Sequence, residues 1–384
     1  MTSGPMTPKP MTSRREWLFR LLAMAVSTFM VLAFAEVALR LLGVGEPSPA
    51  RLSDDSRFTF FDDHPFLGWD LVPGAVDRDK TSEYDIEIRI SAEGLRSDRD
   101  FGPAPPTGMR RWLVLGDSFT FGHGVDVAAG WTSRLDALAP GAEVVNLAVT
   151  GYGTDQQLLR FEDRGPILGA DAVVLGLFVG NVFRNGRSDQ IGYGKPRFWD
   201  TGAGLEILNL PLPSHRLPPE LPSGSRLGWL LSRRGGDALA HLGRGDAWPL
   251  TGKILERLRD GAADLGAPLF VVILPKDQVL YGGPHQRWLH GRAVAATRDL
   301  LTSVDVPYLD LTEALDGAKG SGERLYFPLD GHWTPAGHGV AAEAVASWLR
   351  GQGLPGFEPP DPPRPGDLEP VAEATESSEE GVGP

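Results

Sequence analysis

Not one of the 384 residues is cysteine. That excludes disulfides, a thiolate nucleophile, thiolate-held metals and cysteine-linked lipid anchors. It leaves the compartment open, because an extracytoplasmic protein can do without disulfides. Internal repeats are also lacking, and basic charge is in short supply. Lys and Arg number 37 against 50 Asp and Glu, a formal charge of −13. Residues 351–384 hold eight of those acids against Arg364 alone and so carry −7 of the total. The rest of the chain is only mildly acidic, which argues against a nucleic-acid partner. The tail is Pro-rich and nearly devoid of large apolar groups, so 351–384 is predicted to be disordered. A hydrophobic content of 41% is ordinary for a globular protein, and a chain of this length can bury a core.

The amino end is patterned differently. A polar leader, residues 1–16, carries Lys9, Arg14 and Arg15 and precedes the uncharged stretch Leu21 to Ala35. Apolar character resumes at Val37-Ala38-Leu39 and Leu41-Leu42. The interrupting Glu36 and Arg40 are spaced i,i+4 with the acid first, the favourable order on a helix. One helix over Trp17 to Gly43 would cross a bilayer, with Arg20 snorkelling at one end. A cleaved signal peptide is the rival, since Ala33-Phe34-Ala35 fits a small-residue cleavage site and Ser13-Arg14-Arg15 loosely resembles a twin-arginine signal. Either way the bulk of the chain is expected outside the cytoplasm, on a single-pass membrane anchor or, after cleavage, secreted or periplasmic.

Residues 44–110 read as a linker and β extension, with one clear alternating strand: Ile86, Ile88 and Ile90 face one way, Asp85, Glu87 and Arg89 the other. From Arg111 to Arg350 strand–helix alternation sets in, the signature of a parallel sheet. Strands are expected at Trp112–Leu115, Glu143–Asn146, Ala172–Leu177, Leu269–Leu274 and Tyr308–Leu311, each a short apolar run suited to burial on both faces. Helical faces are expected at Trp131, Leu135 and Leu138, at Ile254, Leu255 and Leu258, and at Val340, Ala344, Val345 and Trp348. Between 184 and 250 the alternation lapses into a Pro- and Gly-punctuated insertion, a lid or a surface decoration, with Leu205–Leu208 as a strand and Leu227–Leu231 as a short helix.

Four segments at expected strand ends could carry chemistry. Gly116-Asp117-Ser118 puts a hydroxyl where the first strand stops, the edge at which open α/β sheets bind ligands; taken alone it also reads as a plain turn. Asp330-Gly331-His332 follows the last strand, and two residues apart in an extended loop these side chains project the same way. A carboxylate there can hold one imidazole nitrogen and leave the other to take a proton from Ser118. His338 belongs to the start of the last helix, and a metal site built from His332 and His338 lacks a third ligand. Gly151-Tyr152-Gly153 and Gly180-Asn181 offer a backbone N–H and a side-chain amide to a developing oxyanion.

Taken together, these blocks resemble the SGNH (GDSL-type) hydrolase family over about Arg111 to Arg350. The resemblance implies a flavodoxin-like three-layer α/β/α sandwich with a parallel central sheet. It implies Ser118 as nucleophile, His332 as base and Asp330 as its orienter. The implied oxyanion hole comprises the Ser118 and Gly151 N–H groups and the Asn181 side chain. Two positions depart from the family pattern: Val182 stands where an Asp usually follows the Asn, and Asp330-Gly331-His332 is one residue shorter than the usual Asp-x-x-His. The expected activity is a serine esterase on an acyl ester, of an envelope glycan or a lipid, without metal or cofactor. An O-acyltransferase on a cell-surface polysaccharide, or an inactive scaffold on the same fold, is the alternative.

Overall fold

The computed structural model describes residues 13–42, 59–191, 193–212, 225–228, 243, 245–320 and 322–359. Of the tail expected to be disordered over 351–384, residues 351–359 instead pack on the domain, with Leu354 buried, the Gly356 carbonyl accepting the Gly141 N–H at 2.9 Å and Phe357 against the Trp112 ring. The part beyond 359, the leader before 13 and the second half of Leu227–Leu231 lie outside the described residues.

Five strands, β5 (Arg110–Leu115), β6 (Ala142–Asn146), β7 (Ala172–Phe178), β12 (Leu269–Leu274) and β13 (Tyr308–Asp310), form one parallel sheet in the order β13-β12-β7-β5-β6. This is the flavodoxin-like order, in which successive strands run outward from β5 in one direction and then the other. The apolar runs were legible because the three central strands bury nearly every side chain. Helices cover both faces: Trp131–Leu138 packs against Pro335–Gly351, and Thr154–Leu168 against Ala247–Asp264. Ile254, Leu255 and Leu258 lie fully buried, as their spacing predicts. In the last helix the buried row is Ala341, Val345 and Leu349, and Val340, Ala344 and Trp348 sit at its half-buried edge. His338 shares that inward face. It is buried in the first turn and its Nδ1 accepts from the Trp131 N–H at 3.2 Å.

Ahead of the sheet, β1 (Phe61–His64) pairs with β2 (Gly68–Leu71), and β3 (Val76–Lys80) with β4 (Asp85–Arg89), both antiparallel. Ile86, Ile88 and Ile90 turn inward onto Phe121, Val149, Tyr152 and Phe327 of the main sheet's loops. Polar contacts fasten the same surface: Trp69 Nε1 donates to the Thr150 carbonyl (3.1 Å), and Tyr152 Oη to the Trp69 carbonyl (2.5 Å). Four short strands follow β7: β8 (Asp189–Gln190), β9 (Tyr193–Gly194), β10 (Arg197–Asp200) and β11 (Leu205–Leu208), the last being the expected strand of the insertion. Lys195 is fully buried there, paired with Asp155 and also donating to the Arg184 carbonyl at 3.3 Å, so the segment is clipped to the sheet's edge.

The amino-terminal helix runs from Ser13 to Leu41. Its 29 residues span about 43 Å, more than a hydrocarbon core of about 30 Å. The most apolar 18-residue stretch within Arg14–Leu41 has a mean hydropathy of 2.1 and none of it is buried, as in a membrane span or a signal sequence. Arg40 Nε donates to Glu36 at 2.7 Å. Glu36 also accepts from the N–H groups of Arg226 and Leu227 and from the Ser225 hydroxyl.

Candidate active site

The site lies at the carboxyl end of β5, where the strand order reverses between β5 and β7. The backbone there is fixed by small residues and caps. A Cβ on Gly116 would lie 2.1 Å from Thr120 Oγ1, so only glycine lets the chain turn tightly into the helix Ser118–Phe121. Asp117 caps that helix by accepting the Phe119 N–H at 3.1 Å. Its other oxygen accepts from Arg184 Nη1 at 2.9 Å. Burial pushes the Asp117 pKa up, and Arg184 works against the push.

Ser118 meets His332 directly, with Ser118 Oγ 2.7 Å from His332 Nε2. His332 Nδ1 is 2.5 Å from Asp330 Oδ1, which also accepts the His332 N–H at 3.1 Å. Gly331 between them sits at φ +83°, a left-handed turn that brings the two side chains to one side. The short spacing therefore closes the pair. Around His332 lie Phe119, its ring centroid 4.7 Å away, and His123 at 4.6 Å. Burial lowers the His332 pKa, Asp330 raises it in part, and the His123 charge lowers it again. Burial alone would raise Asp330, but hydrogen bonds from His123 and His332 outweigh it and hold the carboxylate below its usual range.

The other expected residues converge on the same edge. Gly151 follows β6 at φ +86°, and a Cβ there would press on Ile191 and Trp69 at 3.0 and 3.2 Å. Asn181 opens the short helix after β7 and is fully buried. Its Oδ1 accepts from Arg184 Nη1 (3.0 Å), while its buried Nδ2 has no hydrogen-bond partner among the described residues. Val182 is also fully buried, so the residue that departs from the family pattern faces the interior. His338 stands apart at the sheet's helical layer, as expected.

Four residues of the site escaped the sequence reading. Arg184 Nη1 reaches Asp117, Asn181 and the Tyr152 carbonyl at once and so ties three loops together. Its i+3 spacing from Asn181 was the available signal. His123, Tyr84 and Glu83 gather around Asp330. His123, Asp330 and His332 present nitrogen and oxygen atoms within 4.8 Å of one another. Both Asp330 oxygens already face histidine nitrogens, the arrangement of a hydrogen-bonded network.

The model of the GDSL-like Lipase/Acylhydrolase family matches residues 114–340. None of the curated proteins compared matches the chain. Solved structures similar to it include TesA, at 16% identity over 63% of this chain and 99% of that one, with a TM-score of 0.38. A member of the lipolytic protein G-D-S-L family from Veillonella parvula is 12% identical over 62% and 98% (TM-score 0.39). A catalytic mutant of Axe2, an acetylxylan esterase from Geobacillus stearothermophilus, is 14% identical over 64% and 94% (TM-score 0.40).

Proposed function

The chain belongs to the GDSL-like lipase/acylhydrolase family and is an ester-hydrolysing enzyme, and on that premise we propose that it is a membrane-anchored serine esterase working through an acyl-enzyme on Ser118. The observation that carries this reading is the unbroken Ser118–His332–Asp330 contact.

Ser118 Oγ attacks the ester carbonyl carbon as its proton passes to His332 Nε2. The negative charge that develops on the carbonyl oxygen is met by Asn181 Nδ2 and the Ser118 and Gly151 N–H groups. The unpartnered Asn181 amide supports that assignment: an amide held by its oxygen presents its N–H groups elsewhere. Collapse breaks the ester C–O bond, and His332 returns the proton to the departing alcohol. Water then attacks the acyl-enzyme, gives its proton to His332 and releases the acid and Ser118. A sugar hydroxyl in place of water would make the same site an O-acyltransferase.

The anchor reading, 17–43 uncleaved with 111–350 as the extracytoplasmic catalytic unit, is supported by helix that continues past Ala35 and by Glu36 contacting the 184–250 insertion. Envelope glycans and lipids are the substrates such a position would offer. A screen of acetyl and longer-chain esters, with and without oligosaccharide acceptors and with Ser118→Ala as blank, tests the assignment. Free acid as the product supports the esterase, whereas acylated sugar at the expense of free acid establishes the transferase.

Asn181→Ala should lower kcat by about 100- to 1,000-fold with little change in KM, the cost of one oxyanion donor. A loss under threefold in steady-state assays would remove Asn181 from the oxyanion hole.

A further inference from the structure

We propose that His123 is a positioning residue for the reaction: it takes the second carboxylate oxygen of Asp330, is itself held by Tyr84, and so makes the β3–β4 hairpin part of the catalytic centre. The inference rests on the Ser118–His332–Asp330 reading above and extends it outward by one layer.

The contacts form a continuous chain. His123 Nε2 lies 3.5 Å from Asp330 Oδ2 and 3.1 Å from the Tyr84 hydroxyl. Tyr84 Oη in turn donates to Asp79 Oδ2 at 3.3 Å, on a buried residue of β3. If Tyr84 donates to Asp79, its oxygen is left to accept, and the Nε2–H of His123 is shared between that oxygen and Asp330. The backbone is built to aim this ring. His123 stands between Gly122 and Gly124, at φ +85° and +81°, and a Cβ on Gly124 would strike Phe327 and Tyr84 at 2.9 and 3.2 Å. The same hairpin grips the Asp330 loop from its backbone, because Glu83 accepts the N–H groups of Leu329 and Asp330 at 2.9 and 2.8 Å.

This arrangement answers a problem set by the sequence. An Asp-x-His pair one residue shorter than usual has less chain with which to orient its carboxylate. Glu83 fixes the backbone at Asp330, His332 occupies one carboxylate oxygen and His123 the other, so the carboxylate cannot rotate away from His332. A second imidazole also acts on the base electrically. The two rings are 4.6 Å apart, so a proton on His123 disfavours a proton on His332. His123 further draws Asp330 toward itself, which weakens that carboxylate's hold on an imidazolium at His332. Both effects keep His332 neutral, and therefore able to accept the Ser118 proton, at lower pH. The charged and titratable groups facing this pair are Asp330 and Glu83 at the loop, Tyr84 and Asp79 on the hairpin, Asp117 and His338 on the His332 side, and Asp277, whose carboxylate lies beside Gly331.

The test is the pH dependence of kcat/KM on a soluble acetyl ester, measured on the full chain. His123→Ala should lower the plateau by about tenfold and move the acid limb to higher pH by about one unit. His123→Gln, which keeps a donor toward Asp330 but carries no imidazole, should recover most of the plateau and leave the limb displaced. Tyr84→Phe removes the competing oxygen, leaves the His123 Nε2–H to Asp330 and should move the limb slightly to lower pH. An acid limb at the wild-type position in all three variants would overturn the proposal, as would a plateau that Gln does not restore. Covalent labelling of Ser118 by a fluorophosphonate, retained in each variant, reports an assembled nucleophile. Ester hydrolysis that survives Ser118→Ala would instead overturn the underlying triad, a result independent of His123.

Discussion

Ser118→Ala should reduce kcat on an activated ester such as p-nitrophenyl acetate by roughly 10⁵- to 10⁶-fold while the protein stays folded. The loss is chemical, because the hydroxyl contributes little to structure. Helix Ser118–Phe121 is capped by the Asp117 side chain, and the Ser118 hydroxyl has His332 as its described partner. Deleting one oxygen at this site leaves the Gly116 turn and the Phe119 packing in place. Without a nucleophile, the Asn181 amide and the backbone donors can still polarise a bound carbonyl, so a residual rate above that of water is expected. An unchanged melting temperature beside the lost turnover separates chemistry from stability. A variant that retained a tenth of wild-type kcat would mean that Ser118 is not the group acylated.

Asp330→Asn should cost about 10⁴-fold in kcat at neutral pH, through the tautomer of His332. The carboxylate accepts from Nδ1–H and so leaves Nε2 as the acceptor facing Ser118. An asparagine can turn its NH₂ toward Nδ1, which places the imidazole proton on Nε2 and removes the base. The substitution is nearly isosteric, and Glu83 still holds the loop through the Leu329 and Asp330 N–H groups, although the NH₂ turned toward Nδ1 replaces the oxygen that now also accepts the His332 N–H at 3.1 Å. Steady-state kinetics check the magnitude. A fall below tenfold would assign the orienting role to another group.

The sheet was readable because its strands are short apolar runs buried on both faces, bounded by loops that change composition at once. Leu269–Leu274 shows this most plainly, with all six residues buried. The last helix was harder to read. Val340, Ala341, Ala344 and Val345 are all apolar, so pattern alone could not say which row faces inward; the inward row also holds His338, whose partner, the Trp131 N–H, lies far off in sequence. The residues of the site that sequence supplied are those whose chemistry and strand-end position coincide: Ser118, Gly151, Asn181, Asp330 and His332. His123 was hidden because its partner Asp330 lies more than 200 positions away and no periodicity links them. Tyr84 and Glu83 sit in a hairpin whose alternating isoleucines announce a strand and nothing of what its turn touches. Arg184 alone had a local clue, its place one helical turn from Asn181, and its value emerges only once Asp117 and the Tyr152 carbonyl are brought within reach.

Mapping the covalent adduct of a biotinylated fluorophosphonate by peptide mass spectrometry tests the central claim most directly. On the wild-type chain a single adduct is predicted on Ser118, absent from Ser118→Ala and formed far more slowly in Asp330→Asn and in His332→Ala. An adduct on a different serine, or none from a preparation that hydrolyses esters, would contradict the account.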